Sequence, residues 1–138
     1  MELRWLHAGD VDAVVGAGHL FDDDATREWA ERFLDEPTHH LCIAYVDGEP
    51  AGFVSGMEMT HPDKGTEMFL YELGVDERHQ GQGIATALIE TLADLAAGRG
   101  CYGMWVLTDD DNAAAMSAYT RAGARNPTPQ TMLEWTFN

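Results

Sequence analysis

A chain of 138 residues, 45% hydrophobic and 23% charged, has the size and composition of one folded domain, spanning 1–138, rather than of a disordered polypeptide. With 24 acidic residues against 8 basic ones, its formal charge of -16 argues against a nucleic-acid partner or an anionic membrane surface and favours cationic partners. Solubility or adaptation to salt explains the acidity equally well.

In chain order, "LRWL" opens a first strand. Apolar spacing from Val11 through Val14, Val15 and Gly18 predicts a helix, and Ala25, Trp29 and Phe33 predict a second, with Asp24 as its N-cap. "LCIAYV", the turn "DGEP" and "AGFVSGMEM" read as a hairpin turning at Asp47-Gly48. After the loop "HPDKG", "EMFLYELGV" is a strand that runs into a glycine-rich segment. Ile84, Leu88, Leu92 and Leu95 then fall on one helical face, ended by Gly98 and Gly100. "CYGMWVLT" is a strand, "AAAMSAYTRAG" a short helix closed by Gly123, and "TMLEWTF" a last strand after "NPTP". The order implies a mixed α/β domain with a largely antiparallel sheet and one βαβ crossover.

The opening "MELRWLHAGD" lacks a basic region followed by a long apolar run, and no stretch approaches the ~20 apolar residues of a membrane span. Cys42 and Cys101 sit in apolar, strand-like runs and read as small core residues in a reducing compartment. The expectation is a cytoplasmic protein with no signal peptide. The six histidines lack metal-ligand spacing, so no metal is expected.

"HQGQGIATAL" places Gly81 and Gly83 between a strand and a helix start. A helix N-terminus offers unpaired N–H groups and a positive dipole end, and bare glycines let a pyrophosphate approach the backbone. The segment has no GK[ST] for a Walker loop and no third glycine with a following acidic residue for a Rossmann fingerprint. A glycine-rich turn without a ligand is the plain alternative.

Gln80-Gly81-Gln82-Gly83-Ile84-Ala85 resembles the Q/R-x-x-G-x-G/A signature of the GNAT superfamily of acetyltransferases, and "AYTRAGA" is similar to a later motif of that superfamily. The two occur in the superfamily's order, with the strand "YELGV" before them. The resemblance implies a GNAT fold and acetyl-CoA as cosubstrate. It implies that backbone groups of Leu73, Gly74 and Val75 pair with the pantetheine arm. Gly81, Gly83, Ile84, Ala85 and Thr86 would hold the pyrophosphate, with Gln80 and Gln82 shaping the turn. Tyr119 falls where the superfamily carries a tyrosine that donates to the CoA sulfur, and the Val75 N–H is a candidate to polarise the thioester carbonyl. Tyr119 and Asn112 would both lie along the cofactor.

Glu72 interrupts an apolar strand, and strict alternation puts it on one face with Met68, Leu70 and Gly74. A carboxylate there is costly to desolvate without a partner, so Glu72 is expected to accept the amine proton, directly or through water, or to grip an ammonium group. Asp109 continues the following strand and is the candidate acceptor contact, with Asp110 beside it. Asp111 and Asn112 suit a helix cap. Glu134, in the last strand, either adds a carboxylate to the cleft or is solvated.

"YELGVDERHQGQGIATALIETL" and "VLTDDDNAAAMSAYTRAG" together look like the small, GNAT-fold aminoglycoside 3-N-acetyltransferases. That branch implies transfer to the 3-amino group of gentamicin-like antibiotics in a ternary complex, antibiotic resistance as an outcome, and a homodimer. The loop "DDDN" and its alanines depart from the branch. A polyamine, peptide or protein amine is an alternative acceptor. A non-catalytic acyl-CoA sensor is an alternative of another class, against which Tyr119 and Glu72 both weigh.

Overall fold

A computed structural model describes residues 1–137. Strand β1 (Glu2–Trp5) is followed by helix α1 (Val11–Gly16), a 3-10 turn (Gly18–Leu20) and helix α2 (Arg27–Asp35). Strands β2 (His39–Val46), β3 (Glu49–His61) and β4 (Gly65–Val75) come next. A second 3-10 turn (Glu77–His79) leads to α3 (Ile84–Gly98), β5 (Met104–Val106) and α4 (Ala113–Arg121). The five strands form one sheet in the order β1-β2-β3-β4-β5. All neighbours are antiparallel except β4 and β5, which are parallel and joined through α3. This is the mixed sheet with one crossover that the sequence predicts.

The hairpin turns where expected. Asp47 at φ 50° and Gly48 at φ 78° are both left-handed, the conformation whose twist matches a two-residue hairpin loop. Alternation along β2 divides its side chains between two apolar clusters. Cys42 and Ala44 join Val54, Met68, Leu70 and the inner face of α3, where Leu88 and Leu92 are fully buried. Leu41 and Ile43 join Phe53, Val14 and Ala30 beneath α1 and α2. Burying a leucine completely contributes about 1.5–3 kcal/mol, so Leu88 and Leu92 anchor α3 firmly.

Three expectations are corrected. Helix α2 is capped by Thr26, whose hydroxyl accepts the Trp29 N–H at 3.3 Å, and not by Asp24. Starting there turns Ala30 into the core. The strand expected over "CYGMWVLT" is only Met104–Val106, so Asp109 does not continue it. The last strand does not form. Residues 124–137 have no regular structure, and Met132, Leu133, Trp135 and Phe137 are exposed. Pro127 and Pro129 withhold two backbone donors ahead of this segment, and a three-residue β5 offers little edge to pair with.

The fourth correction positions the site. In the β3–β4 ladder Ser55 pairs with Glu72 but Gly56 pairs with Leu70, leaving Tyr71 as an extra residue on β4. Such a bulge re-aims the side chains beyond it. Met68 and Leu70 face α3, and after the bulge Leu73 and Val75 take that side. Glu72 and Gly74 are thereby turned to the opposite face, across from Ser55 and Phe53.

Candidate active site

Strand β4 pairs with β5 only through Met68, Phe69 and Leu70, although β4 continues to Val75. The two parallel strands therefore part after Leu70 and Val106. The β4 backbone from Tyr71 to Val75 has no β5 partner on that side, so it can accept an extended ligand as an added strand.

The chain leaving β4 is held tightly. Asp76 N–H donates to the Ala51 carbonyl at 2.8 Å, and the Asp76 carboxylate accepts from the Arg78 backbone and guanidinium. Those hydrogen bonds, with the Arg78 charge, bring its pKa down to about 2. The Gln80 side chain donates to the Val75 carbonyl at 3.4 Å, tying the turn back to the strand end. Gly81 and Gly83 then adopt φ 76° and 81°, the left-handed region that a side chain disfavours. Gly83 is the N-cap of α3 and supplies no capping side chain, and no acidic residue occupies the first turn. The N–H groups that open the helix thus remain available, at its positive end, for an anion.

Tyr119 on α4 is 9% exposed and belongs to the cluster that holds the inner face of α3, so α4 packs against α3. Burial pushes its phenol above the ordinary value. Asn112 caps α4, its side chain accepting the Ala115 N–H at 3.1 Å.

On the opposite face, Glu72 lies in a pocket of about 210 Å³ walled by Phe21, Trp29, Phe33 and Phe53. The Ser55 hydroxyl accepts the Glu72 N–H at 3.2 Å, satisfying a donor that the bulge removes from the regular ladder. Burial raises the Glu72 pKa, and the negative charge of Asp22 raises it further. A raised carboxylate pKa makes a stronger base near neutral pH and a receptive partner for an ammonium group. Gly74, two residues on, comes so close to this face that an added Cβ would sit 2.9 Å from Phe53 and 3.3 Å from the Leu20 carbonyl.

The candidate residues are thus partly brought together. Glu72, Leu73, Gly74 and Val75 form one continuous segment at the strand opening, and the 3-10 turn Glu77–His79 links it to Gln80, the Gly81–Gly83 turn and the first residues of α3. Asp109 and Asp110 are exposed beyond β5 and do not line the pocket, and Glu134 is exposed in the irregular segment. The aromatic walls were not singled out by sequence reasoning, which took Trp29 and Phe33 as helix packing. The available signal was an i, i+4 aromatic pair on a short helix just after "DDD". Among the described residues no group of three or more His, Cys, Asp or Glu is placed to hold a metal ion, and no helix is long and apolar enough to cross a membrane.

The parted parallel strands thus set an open backbone edge beside a glycine-opened helix start that suits an anion. The profile of the Acetyltransferase (GNAT) family matches residues 5–124, and the chain belongs to that family. It is 32% identical over 127 residues to "Acetyltransferase ECA0875" of Pectobacterium atrosepticum, covering 88% of this chain and 85% of the relative. Among solved structures, it is similar to the aminoglycoside acetyltransferase meta-AAC0020 from an uncultured soil metagenomic sample, in complex with sisomicin. There the TM-score is 0.90 at 16% identity, over 99% of this chain and 96% of the other. It is also similar to AAC(6')-Iy in complex with the bisubstrate analog CoA-S-monomethyl-acetylneamine, with a TM-score of 0.82 at 20% identity over 98% and 97% of the two chains. At those identities the likeness speaks to the fold, which is that of the GNAT acetyltransferases.

Proposed function

We propose that this chain is an acetyl-CoA-dependent N-acetyltransferase that acetylates an amine of gentamicin-like aminoglycosides by direct transfer in a ternary complex. The observation that carries the proposal is the placement of Glu72. Among the described residues it is the one carboxylate lining the pocket, and it lies two residues before Gly74 on the strand segment that β5 has left unpaired.

The residues divide the chemistry as follows. The unpaired backbone of Leu73, Gly74 and Val75 suits the pantetheine amides, and the N–H groups from Gly81 to Thr86, with Gln80 and Gln82 shaping the turn, suit the pyrophosphate. Acetyl-CoA supplies the thioester: as the acceptor nitrogen attacks its acyl carbon, the C–N bond forms and the C–S bond breaks. Glu72 takes a proton from the attacking amine, directly or through one water. Val75 N–H donates to the carbonyl oxygen as negative charge develops there. Tyr119 donates its phenolic proton toward the departing sulfur, and its raised pKa keeps that proton in place at neutral pH. Acetylation removes one cationic charge from the drug and with it a charge-assisted contact to an anionic target, the basis for a resistance role in the cytoplasm.

The position acetylated is the 3-amino group where the branch resemblance holds. The 6'-amino group is the second reading, favoured by the likeness in fold to AAC(6')-Iy. The test is thiol release from acetyl-CoA with gentamicin, spermidine and a short peptide amine at equal concentration, followed by NMR of the product. Rapid release with gentamicin supports the proposal, and Tyr119→Phe should then lower kcat about 100-fold or more while leaving acetyl-CoA affinity intact. Release only with spermidine or the peptide would reassign the acceptor. Acetyl-CoA binding with no release from any amine would indicate a sensor.

A further inference from the structure

The Glu72 pocket is small and almost wholly apolar. Pockets that enclose drug-sized ligands run to about 300–1,000 Å³, whereas an apolar cavity of about 150 Å³ already holds benzene. At about 210 Å³ and open to solvent beside Trp29, which is 63% exposed, this one is the size of a single six-membered ring and leaves the rest of a larger acceptor outside. Its walls are Phe21, Trp29, Phe33 and Phe53 with Val14 and Leu41. The oxygens of its two lining hydroxyls each accept a backbone N–H, Ser55 from Glu72 and Thr26 from Trp29, so that beside Glu72 only those two O–H groups are left among the lining side chains to meet a ligand hydroxyl. Glu72 is the one charged lining group. Outside, Asp22, Asp23 and Asp24 are exposed between Phe21 and Ala25, which both line the pocket. An acidic stretch therefore borders the pocket on one side, near enough for the Asp22 charge to act on Glu72.

We infer that the pocket is selective for a primary amine borne on one terminal ring or chain with an apolar face. The ammonium meets Glu72, the hydrocarbon face lies against Trp29 and Phe33, and hydroxyls beside the amine are disfavoured. The remaining charged rings of a larger acceptor stay outside, against Asp22 to Asp24. This rests on the N-acetyltransferase reading of the same site, with the 6'-amino group of the terminal aminohexose as acceptor. A ring hydroxyl pressed onto the aromatic walls, away from Ser55, Thr26 and Glu72, gives up water without a replacement partner, which should lower kcat/KM roughly tenfold for each hydroxyl so placed.

Two matched pairs test it by thiol release. Cyclohexylmethylamine and 6-amino-6-deoxyglucose share a six-membered ring and an aminomethyl group and differ in hydroxylation. Dibekacin and kanamycin B differ only in two hydroxyls of the aminohexose ring. The deoxygenated member of each pair should be used at least tenfold better. Trp29→Ala should erase most of that advantage by raising the acceptor KM while leaving the acetyl-CoA KM unchanged. Equal or better use of the hydroxylated members overturns the inference and leaves acetyl transfer standing. Absence of turnover with all four amines, alongside acetyl-CoA binding, overturns both.

Discussion

Replacing Gly83 by alanine isolates what the glycine turn does. Gly83 sits at φ 81°, and a Cβ added there would meet nothing within 4 Å. The penalty to the fold is then the left-handed backbone alone, about 1–2 kcal/mol, or a fall of ~3–10 °C in Tm for a domain of this size. The methyl group would project where a pyrophosphate must approach the first N–H groups of α3. Losing one charge-assisted hydrogen bond costs about 1.5–3 kcal/mol, so acetyl-CoA affinity should fall ~10–100-fold. Gly100 supplies the matched control, since it adopts φ 84°, also has open space at its Cβ, and lies beyond the other end of α3. Calorimetric titration with acetyl-CoA and thermal melts of both variants give the comparison. Similar Tm losses with a selective affinity loss in Gly83→Ala are expected. If both variants lose affinity equally, or neither does, the turn holds no phosphate and the reasoning fails.

Three further outcomes follow from the structure. Burial and Asp22 raise the folded pKa of Glu72 above its reference value of 4.5, so its ionisation opposes folding. Glu72→Gln should raise Tm at pH 7, and the gain should vanish as pH falls below 4.5, while acetyl transfer is largely lost. Glu58 is the reverse case. Burial pushes its carboxyl up, but hydrogen bonds from His40 at 2.6 Å and Arg99 at 2.7 Å, with the Arg99 charge, bring it below the usual range. Its contribution is present above the unfolded pKa and lost in acid, so Glu58→Gln should cost on the order of 1–3 kcal/mol at pH 7 in denaturant melts and less as pH falls. Gly56→Ala would bring a Cβ within 2.8 Å of Leu92 and 3.0 Å of Met68, an overpacking of about 1–3 kcal/mol that urea unfolding would register with acetyl-CoA affinity unchanged.

The sequence speaks most clearly where one short-range rule acts alone. Asp47-Gly48 specifies its turn by backbone preference, and Ile84, Leu88 and Leu92 specify α3 by their spacing. Gly81 and Gly83 mark the donor turn because only glycine adopts that backbone cheaply. Glu72 announces itself as a carboxylate in an apolar strand, yet its direction was misread. Period-two alternation assumes an unbroken ladder, and the extra residue at Tyr71 is visible only once β3 and β4 are in register. The aromatic pocket was hidden for a similar reason, because its walls come from the 3-10 turn region, α2, β2 and β3, which meet only in the folded chain. Asp24 and Thr26 are both good caps. The choice between them depends on which start buries Ala30, a tertiary matter. The irregular segment 124–137 alternates like a strand, but a strand needs an edge, and β5 is too short to give one.

The two faces of the sheet also bear on how such a catalyst can change. The groups proposed for acetyl-CoA lean on the cluster of α3 and α4, whereas the pocket proposed for the acceptor leans on the cluster of α1 and α2. No helix is shared between the two clusters, and the functional halves meet through the few β4 residues after the bulge. On the proposed division, mutations over 11–35 should therefore recast what is acetylated while the groups proposed for acetyl-CoA keep their packing. The same partition makes this segment a natural cassette for exchange between relatives, with β3 and β4 as the fixed seam.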